Sequence, residues 1–227
     1  MSRRRVMLVG ATGLIGREVI ARASRMPDIA LVGLGRNEME MPPGARFELL
    51  LADPANWDEA VATINPEVVI CALGTTRRKA GSGDAFRKVD HDLVLKVAQA
   101  AKEAGADHFI HVSAIGADMA SRNLYLRTKG ETEHALQRLH FRRLDVMRPG
   151  LLRGARQGDF RLGERIAALL SPLTDLLLWG GWKRFRSIAA SDVATACLQA
   201  AREKPGGAFV FQHVGIHRLL RRFEKGR

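Results

Sequence analysis

The sequence predicts an α/β fold built on a doubly wound parallel sheet, with one domain and a short C-terminal region. Two observations predict it. Short, nearly continuous apolar runs alternate with helix-length segments, as expected for βαβ units whose strands are covered on both faces. The first of these runs ends in a glycine-rich turn that leads directly into a helical pattern. A length of 227 residues suits a single domain.

Seven strands are predicted along the chain. They are Arg5–Val9, Ala30–Leu34, Phe47–Leu51, Val68–Leu73, Phe109–Ser113, Leu144–Met147 and Ala208–Gln212. The clearest helix is predicted from Asp84 to Ala104, where apolar residues recur at steps of three and four, with Asp84 as its N-cap and Gly105 as its stop. We also expect helices near Ile166–Leu170 and over Ser191–Arg202, and a basic tail over Arg218–Arg227.

The composition excludes several classes of protein. With 46% hydrophobic residues, the chain is neither disordered nor fibrous. Its first apolar run is too short for an export signal. The most apolar stretch, Ile166–Trp182, is interrupted by Pro172, Asp175 and the pair Gly180-Gly181, so no transmembrane helix is predicted.

No disulfide or metal site is predicted. Cys71 and Cys197 lie far apart in the sequence and lack the paired spacing of a disulfide framework or a zinc site. His108 and His111 share a predicted strand, but their odd offset points the two rings to opposite faces. We therefore expect a reduced, cytoplasmic protein without a metal ion.

The glycine turn is the first functional motif. Its seven residues are Gly10, Ala11, Thr12, Gly13, Leu14, Ile15 and Gly16, and Arg17 follows them. Glycines allow the backbone to turn tightly and to approach a pyrophosphate, while the helix N-terminus offers N–H groups and partial positive charge. The sequence therefore predicts a dinucleotide site at this turn. The spacing Gly-x-x-Gly-x-x-Gly resembles that of the extended and atypical short-chain dehydrogenases/reductases, which have the Rossmann fold.

The residues after the second predicted strand indicate which nicotinamide cofactor binds. An acidic residue at this position accepts hydrogen bonds from the ribose 2′-OH of NAD, whereas arginine matches the 2′-phosphate of NADP. This chain has Arg36, with Arg17 close to the glycine turn, so NADP(H) is favoured over NAD(H). Glu38 and Glu40 nearby favour the opposite preference. By resemblance, Asp53 meets the adenine amino group; the alternative is a helix cap.

The only tyrosine of the chain carries the predicted chemistry. Tyr125 and Lys129 are four residues apart on a predicted helix and so share one face. A lysine ammonium at that distance stabilises the phenolate and lowers the pKa of a tyrosine towards the working range of an acid/base group. Ser113 ends the fifth predicted strand. These three residues resemble the catalytic triad of the short-chain reductases, in which Ser holds the substrate carbonyl, Tyr transfers the proton and Lys holds the nicotinamide ribose.

Further segments narrow the resemblance to one atypical branch, that of the Tat-interacting-protein oxidoreductases. They are Leu73–Arg77, Ala80-Gly81, Val89-Asp90, Val112–Ala117, Lys129–Glu131 and Arg148–Gly150. The resemblance implies cofactor contacts at Leu73, Gly74 and Thr75 on the adenosine side, and at Pro149 and Leu151 in the loop that meets the nicotinamide. It also implies a cofactor part over about 1–150 and a substrate part over about 151–227.

The sequence thus predicts an NADPH-dependent carbonyl reductase or alcohol dehydrogenase that acts on a small, apolar substrate. A redox-sensing regulator that binds NADPH with little catalysis is the alternative, and a nucleotide-sugar epimerase is a third reading that the short C-terminal region disfavours. The net charge of +12 suggests nucleic acid, but no nucleic-acid-binding motif accompanies it. Peripheral membrane contact through Ile166–Trp182 is an alternative role for this segment. The resemblance implies a homodimer as a candidate assembly.

Overall fold

The computed structural model describes residues 3–40, 47–154 and 186–226. Its strands are β1 (Arg4–Val9), β2 (Ile29–Gly35), β3 (Glu48–Leu51), β4 (Val68–Cys71), β5 (His108–Val112), β6 (Arg143–Met147), β7 (Leu152–Arg153), β8 (Ile188–Ala189) and β9 (Gly207–Phe211). Seven of them form one parallel sheet in the order β3-β2-β1-β4-β5-β6-β9. The predicted doubly wound parallel sheet is confirmed, and each of the seven predicted strands is present within two residues of its predicted ends.

Helices cover both faces of this sheet. They are α1 (Leu14–Ala23), α2 (Trp57–Ile64), α3 (Arg77–Ala80), α4 (Gly83–Arg87), α5 (Leu93–Glu103), α6 (Leu124–Gln137), α7 (Ala190–Ala200) and α8 (His213–Lys225). One hydrophobic core lies between the sheet and α1, α7 and α8, and a second lies between the opposite face and α2, α5 and α6. Alternate residues of the central strands enter alternate cores, as Phe109 and Ile110 of β5 do.

The strand order reverses beside β1, which pairs with β2 on one side and with β4 on the other. In open α/β sheets a crevice forms outside the carboxyl ends of the strands at this switch point, and ligands bind there. The glycine turn after β1 and the segment after β4 both lie at this edge. The topology therefore brings together the two segments that the sequence assigns to the cofactor.

The predicted helix over Asp84–Ala104 is not one regular helix. Ser82, not Asp84, is the N-cap of α4, and its side chain accepts a hydrogen bond from the N–H of Ala85 at 3.1 Å. Between α4 and α5 a π turn spans Lys88–Asp92. The predicted stop is confirmed, because Gly105 has a φ of +87° and follows the C-cap of α5.

The predicted basic tail is wrong, because residues 213–225 form the helix α8. Ile216, Leu219 and Phe223 recur at steps of three and four and are buried in the core beside α7. Arg218 and Arg221 lie on the exposed side of the same helix. The density of arginine hides the narrow apolar stripe that makes the segment an amphipathic helix.

The apolar segment Ile166–Trp182, with its predicted helix near Ile166–Leu170, lies outside the described residues. Among the helices of the described ranges, none is both long enough and apolar enough to cross a membrane.

Candidate active site

The glycine turn connects β1 to α1 through two very close backbone contacts. Gly10 has a φ of +90°, and a Cβ atom added to it would lie 2.5 Å from the carbonyl oxygen of Ala72. A Cβ atom added to Gly16 would lie 2.2 Å from the carbonyl oxygen of Gly10. These two positions need glycine for the packing of the turn itself, whatever it binds.

Gly13 differs from the other two glycines. It is the N-cap of α1, it is exposed, and a Cβ atom added to it would lie 3.2 Å from the nearest atom, the carbonyl oxygen of Gly10. The N–H groups of Leu14, Ile15 and Gly16 follow it in the first helical turn, where they have no acceptor within the helix. A phosphate can approach these N–H groups because no side chain covers them at Gly13. The turn fits a dinucleotide.

A cleft opens beside this turn, between the carboxyl ends of β1, β2 and β4. It is lined by Gly10, Ala11, Thr12, Leu34, Gly35, Arg36, Asn37, Leu49, Trp57 and Leu73. Polar groups of the glycine turn and Arg36 therefore share one space with the apolar surface of Leu49 and Trp57. Such a mixture suits a nucleoside with attached phosphates. Gly10, Thr12, Leu73 and Arg36, which the sequence assigns to the cofactor, are brought together here.

Arg17 and Asp53, two of the predicted cofactor contacts, are not among the residues that line this cleft. The guanidinium of Arg17 donates from Nε to the carbonyl oxygen of Thr12 at 3.4 Å and so folds back over the glycine turn. Asp53 caps the 3₁₀ turn Pro54–Asn56 by accepting a hydrogen bond from the N–H of Ala55 at 2.8 Å. The cap that the sequence offered as the alternative for Asp53 is thus present in the structure.

Tyr125 begins the first turn of α6. The N-cap Asn123 fixes this turn by accepting hydrogen bonds from the N–H groups of Tyr125 at 2.9 Å and Leu126 at 3.3 Å. The ring centroid of Tyr125 lies 5.7 Å from that of Phe86 on α4, and 40% of Tyr125 is exposed. The ring therefore packs against Phe86, and the phenol is accessible to a small molecule.

One turn further along α6, Lys129 is buried and forms an ion pair. Its ammonium lies 2.9 Å from Oδ1 of Asp90, which is completely buried in the π turn Lys88–Asp92. The second carboxylate oxygen of Asp90 accepts a hydrogen bond from the N–H of Thr75 at 2.8 Å. Gly74 is exposed above this pair. The predicted catalytic lysine and the predicted cofactor segment Gly74–Thr75 therefore meet at one carboxylate.

A further turn along the same face of α6 lies Glu133, which is bonded to Ser113. The hydroxyl of Ser113 donates to Oε1 of Glu133, and both residues are buried. Arg148, directly after β6, donates from Nε to both carboxylate oxygens of Glu133 at 3.0 Å, and a terminal nitrogen adds a further bond. Tyr125 and Lys129 of the predicted triad thus lie on one face of α6, and Ser113 meets that face at Glu133. Lys129 and Ser113 are each paired with a different buried carboxylate.

The predicted nicotinamide loop follows Arg148. The carbonyl oxygen of Pro149 accepts a hydrogen bond from the N–H of Ile115 at 2.9 Å, and that of Leu151 accepts one from the N–H of Ile188 at 2.9 Å. Pro149 is buried, whereas 54% of Leu151 is exposed. The loop is therefore tied to the chain after β5, where Ser113 lies.

Two uncharged titratable groups lie under Lys129. Burial, and to a smaller extent the Lys129 ammonium, lowers the pKa of His111 well below its ordinary value. Burial raises the pKa of the Cys71 thiol to about 11. His108 lies on the opposite face of β5, as predicted, and its Nε2 is 2.9 Å from the buried carboxylate of Asp145. Within the described ranges, no group of three His, Cys, Asp or Glu side chains could hold a metal ion.

Sequence reasoning gave no role to Asp90, Glu133 or Arg148. Asp90 and Arg148 lie in segments that carry the resemblance to the atypical branch, and Glu133 lies two residues after such a segment. The signal that could have identified them is a charged side chain at a position where the strand or helix pattern predicts burial. The partners of their side chains lie between 15 and 39 residues away in the sequence, as Thr75 and Lys129 do for Asp90. Spacing alone does not connect residues so far apart.

Comparison with known proteins identifies related chains. The model of the NAD(P)H-binding family matches residues 10–204. The chain is similar to Protein FMP52, mitochondrial, of Candida albicans, with 33% identity over 207 residues, which cover 88% of this chain and 89% of that protein. It is also similar to Protein HTATIP2 of Rattus norvegicus, with 39% identity over 171 residues, which cover 74% of this chain and 70% of that protein.

Solved structures with low sequence identity share the fold. A UDP-glucose 4-epimerase of Thermotoga maritima matches with a TM-score of 0.67 and 15% identity over 97% of this chain and 82% of that chain. The enzyme WbmH of Bordetella bronchiseptica, solved in complex with NAD+, matches with a TM-score of 0.67 and 14% identity over 92% of this chain and 75% of that chain. At this identity the likeness concerns the architecture alone.

The predicted cytoplasmic location is wrong in the light of these relatives. The similar proteins of Candida albicans, Emericella nidulans and Saccharomyces cerevisiae are all named as mitochondrial proteins. The expectation of a cytoplasmic protein rested on the absence of an export signal and on unpaired cysteines, and neither observation distinguishes the cytoplasm from the interior of an organelle.

Proposed function

The chain belongs to the NAD(P)H-binding family, as an atypical short-chain dehydrogenase/reductase that resembles the HTATIP2 branch, and from that premise we propose that it is an NADPH-dependent oxidoreductase. Its substrate would be a small, apolar carbonyl compound, or the matching alcohol in the reverse direction. The observation that carries the proposal is the face of α6, where the exposed Tyr125 and the buried Lys129 are one helical turn apart beside the Gly74–Thr75 segment.

The cofactor would be held by groups that the chain already presents. The first N–H groups of α1 would bind the pyrophosphate, with Gly13 leaving room for it. Arg36 lines the cleft at the end of β2 and would pair with a 2′-phosphate, which supports NADPH over NADH. Lys129 would donate to the ribose next to the nicotinamide. When bound, the nicotinamide supplies the hydride that reduces the carbonyl carbon.

The proton for the carbonyl oxygen would come from Tyr125. Its hydroxyl donates a hydrogen bond to that oxygen and transfers the proton as the carbon accepts the hydride, so that an alcohol forms and the phenolate takes a proton from water. The nearby Lys129 ammonium favours the phenolate in this step. Ser113 would hold the carbonyl by turning its hydroxyl from Glu133 to the substrate, which exchanges one hydrogen bond for another.

The substrate would bind beyond the nicotinamide loop. We assign its cover to residues from 151 onward. The same proposal includes the assembly of two chains into a homodimer and the small, apolar carbonyl compound or alcohol as substrate. The relatives named as mitochondrial support a mitochondrial location for this activity.

Two measurements test the proposed function. Titration with NADPH, followed by its fluorescence, should give saturable binding, and a panel of aldehydes, ketones and quinones should give steady NADPH consumption. Tyr125→Phe keeps the ring that packs against Phe86, so it should bind NADPH like the wild type and lose turnover by about a hundredfold or more. Undiminished turnover in this variant would exclude Tyr125 as the proton donor. NADPH binding without turnover on any substrate would favour the regulatory alternative.

A further inference from the structure

Asp90 occupies an irregular point in an otherwise helical segment. It lies in the π turn Lys88–Asp92, between α4 and α5, and it is completely buried. A π turn places side chains at angles that a regular α-helix does not offer, and such turns are frequent at functional sites. Here the turn directs a carboxylate away from the apolar stripe of the helix and towards α6.

The carboxylate of Asp90 joins two separate segments. One oxygen lies 2.9 Å from the ammonium of Lys129, and the other accepts the N–H of Thr75 at 2.8 Å. Its backbone carbonyl oxygen also accepts the hydroxyl of Thr132 on α6 at 3.0 Å. The loop after β4 and the helix α6 are therefore fixed to each other through a single residue.

The buried ion pair lies next to an exposed glycine of the segment after β4. A Cβ atom added to Gly74 would lie 3.5 Å from Oδ1 of Asp90 and 3.7 Å from Nζ of Lys129, and Gly74 itself is exposed. Gly74, which the proposed function assigns to the cofactor, thus lies within van der Waals reach of both charged groups. The ammonium has three donors, and Asp90 is its ion-pair partner among the described residues.

Burying two charges is costly and does not by itself stabilise a fold, so a buried pair at this place calls for another reason. We propose that Asp90 is a positioning residue, which holds Lys129 and the Gly74–Thr75 segment in fixed relation so that both bind the cofactor as one unit. The inference rests on the proposed function. Asp90 itself touches no part of the cofactor; it acts through the ammonium and through the N–H of Thr75.

Cofactor affinity in a double-mutant cycle tests this coupling. NADPH is titrated against the wild type, Asp90→Asn, Lys129→Met and the double variant. Asp90→Asn should weaken binding about tenfold, because an amide offers one acceptor oxygen where the carboxylate offers two. Lys129→Met should weaken binding by a similar factor, because it removes the ammonium that would bind the cofactor. The double variant should bind no worse than a single one. A roughly hundredfold loss in the double variant, or wild-type affinity in Asp90→Asn, would overturn the proposal.

Asp145→Asn is the matched control. Asp145 is also completely buried and lies 2.8 Å from Arg143 and 2.9 Å from His108, but it faces the other core of the sheet. The same chemical change there should lower stability and leave the affinity for NADPH unchanged. A tenfold loss of affinity in this control would show that any buried carboxylate matters equally, and would overturn the role given to Asp90.

Amide hydrogen exchange gives a second readout, which needs neither cofactor nor a change at Asp90. In Lys129→Met without cofactor, the N–H of Thr75 should exchange about tenfold faster than in the wild type, because Asp90 has lost the ammonium that orients it. Unchanged exchange would overturn the coupling, even if Asp90→Asn does not fold. If the wild type binds no NADPH, the proposed function fails, and the exchange comparison still decides whether Asp90 couples the loop to α6.

Discussion

The hydroxyl of Ser113 donates to the carboxylate of Glu133, which lies 20 residues further along the chain. Arg148 donates to both oxygens of the same side chain, so Glu133 acts as the acceptor towards both of its partners. Ser113 must therefore be the donor in this bond, and its oxygen lone pairs are left to accept. In this arrangement Ser113 can only accept a hydrogen bond from a substrate, and it can donate one only after its hydroxyl turns away from Glu133.

Replacing Glu133 should destabilise the protein through Arg148. In Glu133→Gln the guanidinium loses its charged partner at a site where only 24% of its side chain is exposed. We expect the free energy of unfolding to fall by about 3 kcal/mol, the lower end for a broken buried pair, because Arg148 keeps some contact with water. Urea unfolding measures this. Glu131→Gln is the control: its side chain is 28% exposed and pairs with the more exposed Arg87, and it should cost less than about 1 kcal/mol.

Two glycines of the same turn should respond differently to alanine. Gly16→Ala places a methyl group 2.2 Å from a backbone oxygen, so it should reduce stability by about 3 kcal/mol, at the upper end of overpacking. Gly13→Ala meets its nearest atom at 3.2 Å and should cost only about 1 kcal/mol, the cost of a poorer N-cap. It should nevertheless weaken NADPH binding about tenfold, because the methyl group occupies the approach of the pyrophosphate.

Thermal unfolding and NADPH titration of both variants separate these effects. Equal affinity of Gly13→Ala and the wild type would mean that the pyrophosphate does not approach at this glycine.

Arg36 should determine the preference between the two nicotinamide cofactors. Arg36→Ala removes a charged hydrogen-bond donor that would serve the 2′-phosphate alone, so the Kd for NADPH should rise about ten- to a hundredfold while that for NADH stays the same. Fluorescence titrations at one ionic strength measure both constants. Arg138→Ala, an exposed arginine at the end of α6, controls for the general loss of positive charge. Equal wild-type affinities for NADPH and NADH would contradict the proposed preference.

Buried His111 should make the protein less stable in acid. Burial lowers its pKa in the folded state well below the ordinary value of 6.5, so between these two pKa values the unfolded chain binds a proton that the folded chain does not. Stability is therefore lost as the pH falls below about 6.5, by up to about 1.4 kcal/mol per pH unit for each such histidine. His108, whose pKa burial also lowers, contributes in the same direction.

Urea unfolding at several pH values between neutrality and pH 5 checks this. His111→Leu should flatten the dependence, and His134→Gln, at an exposed position of α6, should leave it unchanged. A profile of His111→Leu that is as steep as that of the wild type would exclude His111 as its source.

Local patterns of the sequence predict the strands, the glycine turn and the shared face of Tyr125 and Lys129. The turn is predictable because its strand, glycines and helix follow each other directly, and the face because four residues make about one helical turn. The stop at Gly105 is predictable for the same reason, since one glycine ends one helix. Each of these depends on neighbours in the chain.

The partners of the predicted catalytic residues depend instead on distant segments. The apolar steps from Phe86 to Val89 and Leu93 continue through the π turn, so they conceal the extra residue that directs Asp90 inward. The bond between Ser113 and Glu133 requires β5 and α6 to be packed together first. The apolar stripe of α8 is concealed by its arginines. In each case the arrangement depends on how separate segments pack together, so no single segment of the sequence predicts it.

The π turn makes the charge partner of Lys129 depend on the number of residues and not only on their identity. An α-helix rotates by about 100° for each residue, so removing one residue from positions 88–92 would restore the regular helical pitch and swing the two flanking segments by that angle relative to each other. Asp90 would then move away from Lys129 even though both residues are still present. A one-residue deletion here would damage the site more than most substitutions, and the length of this segment is itself part of the site.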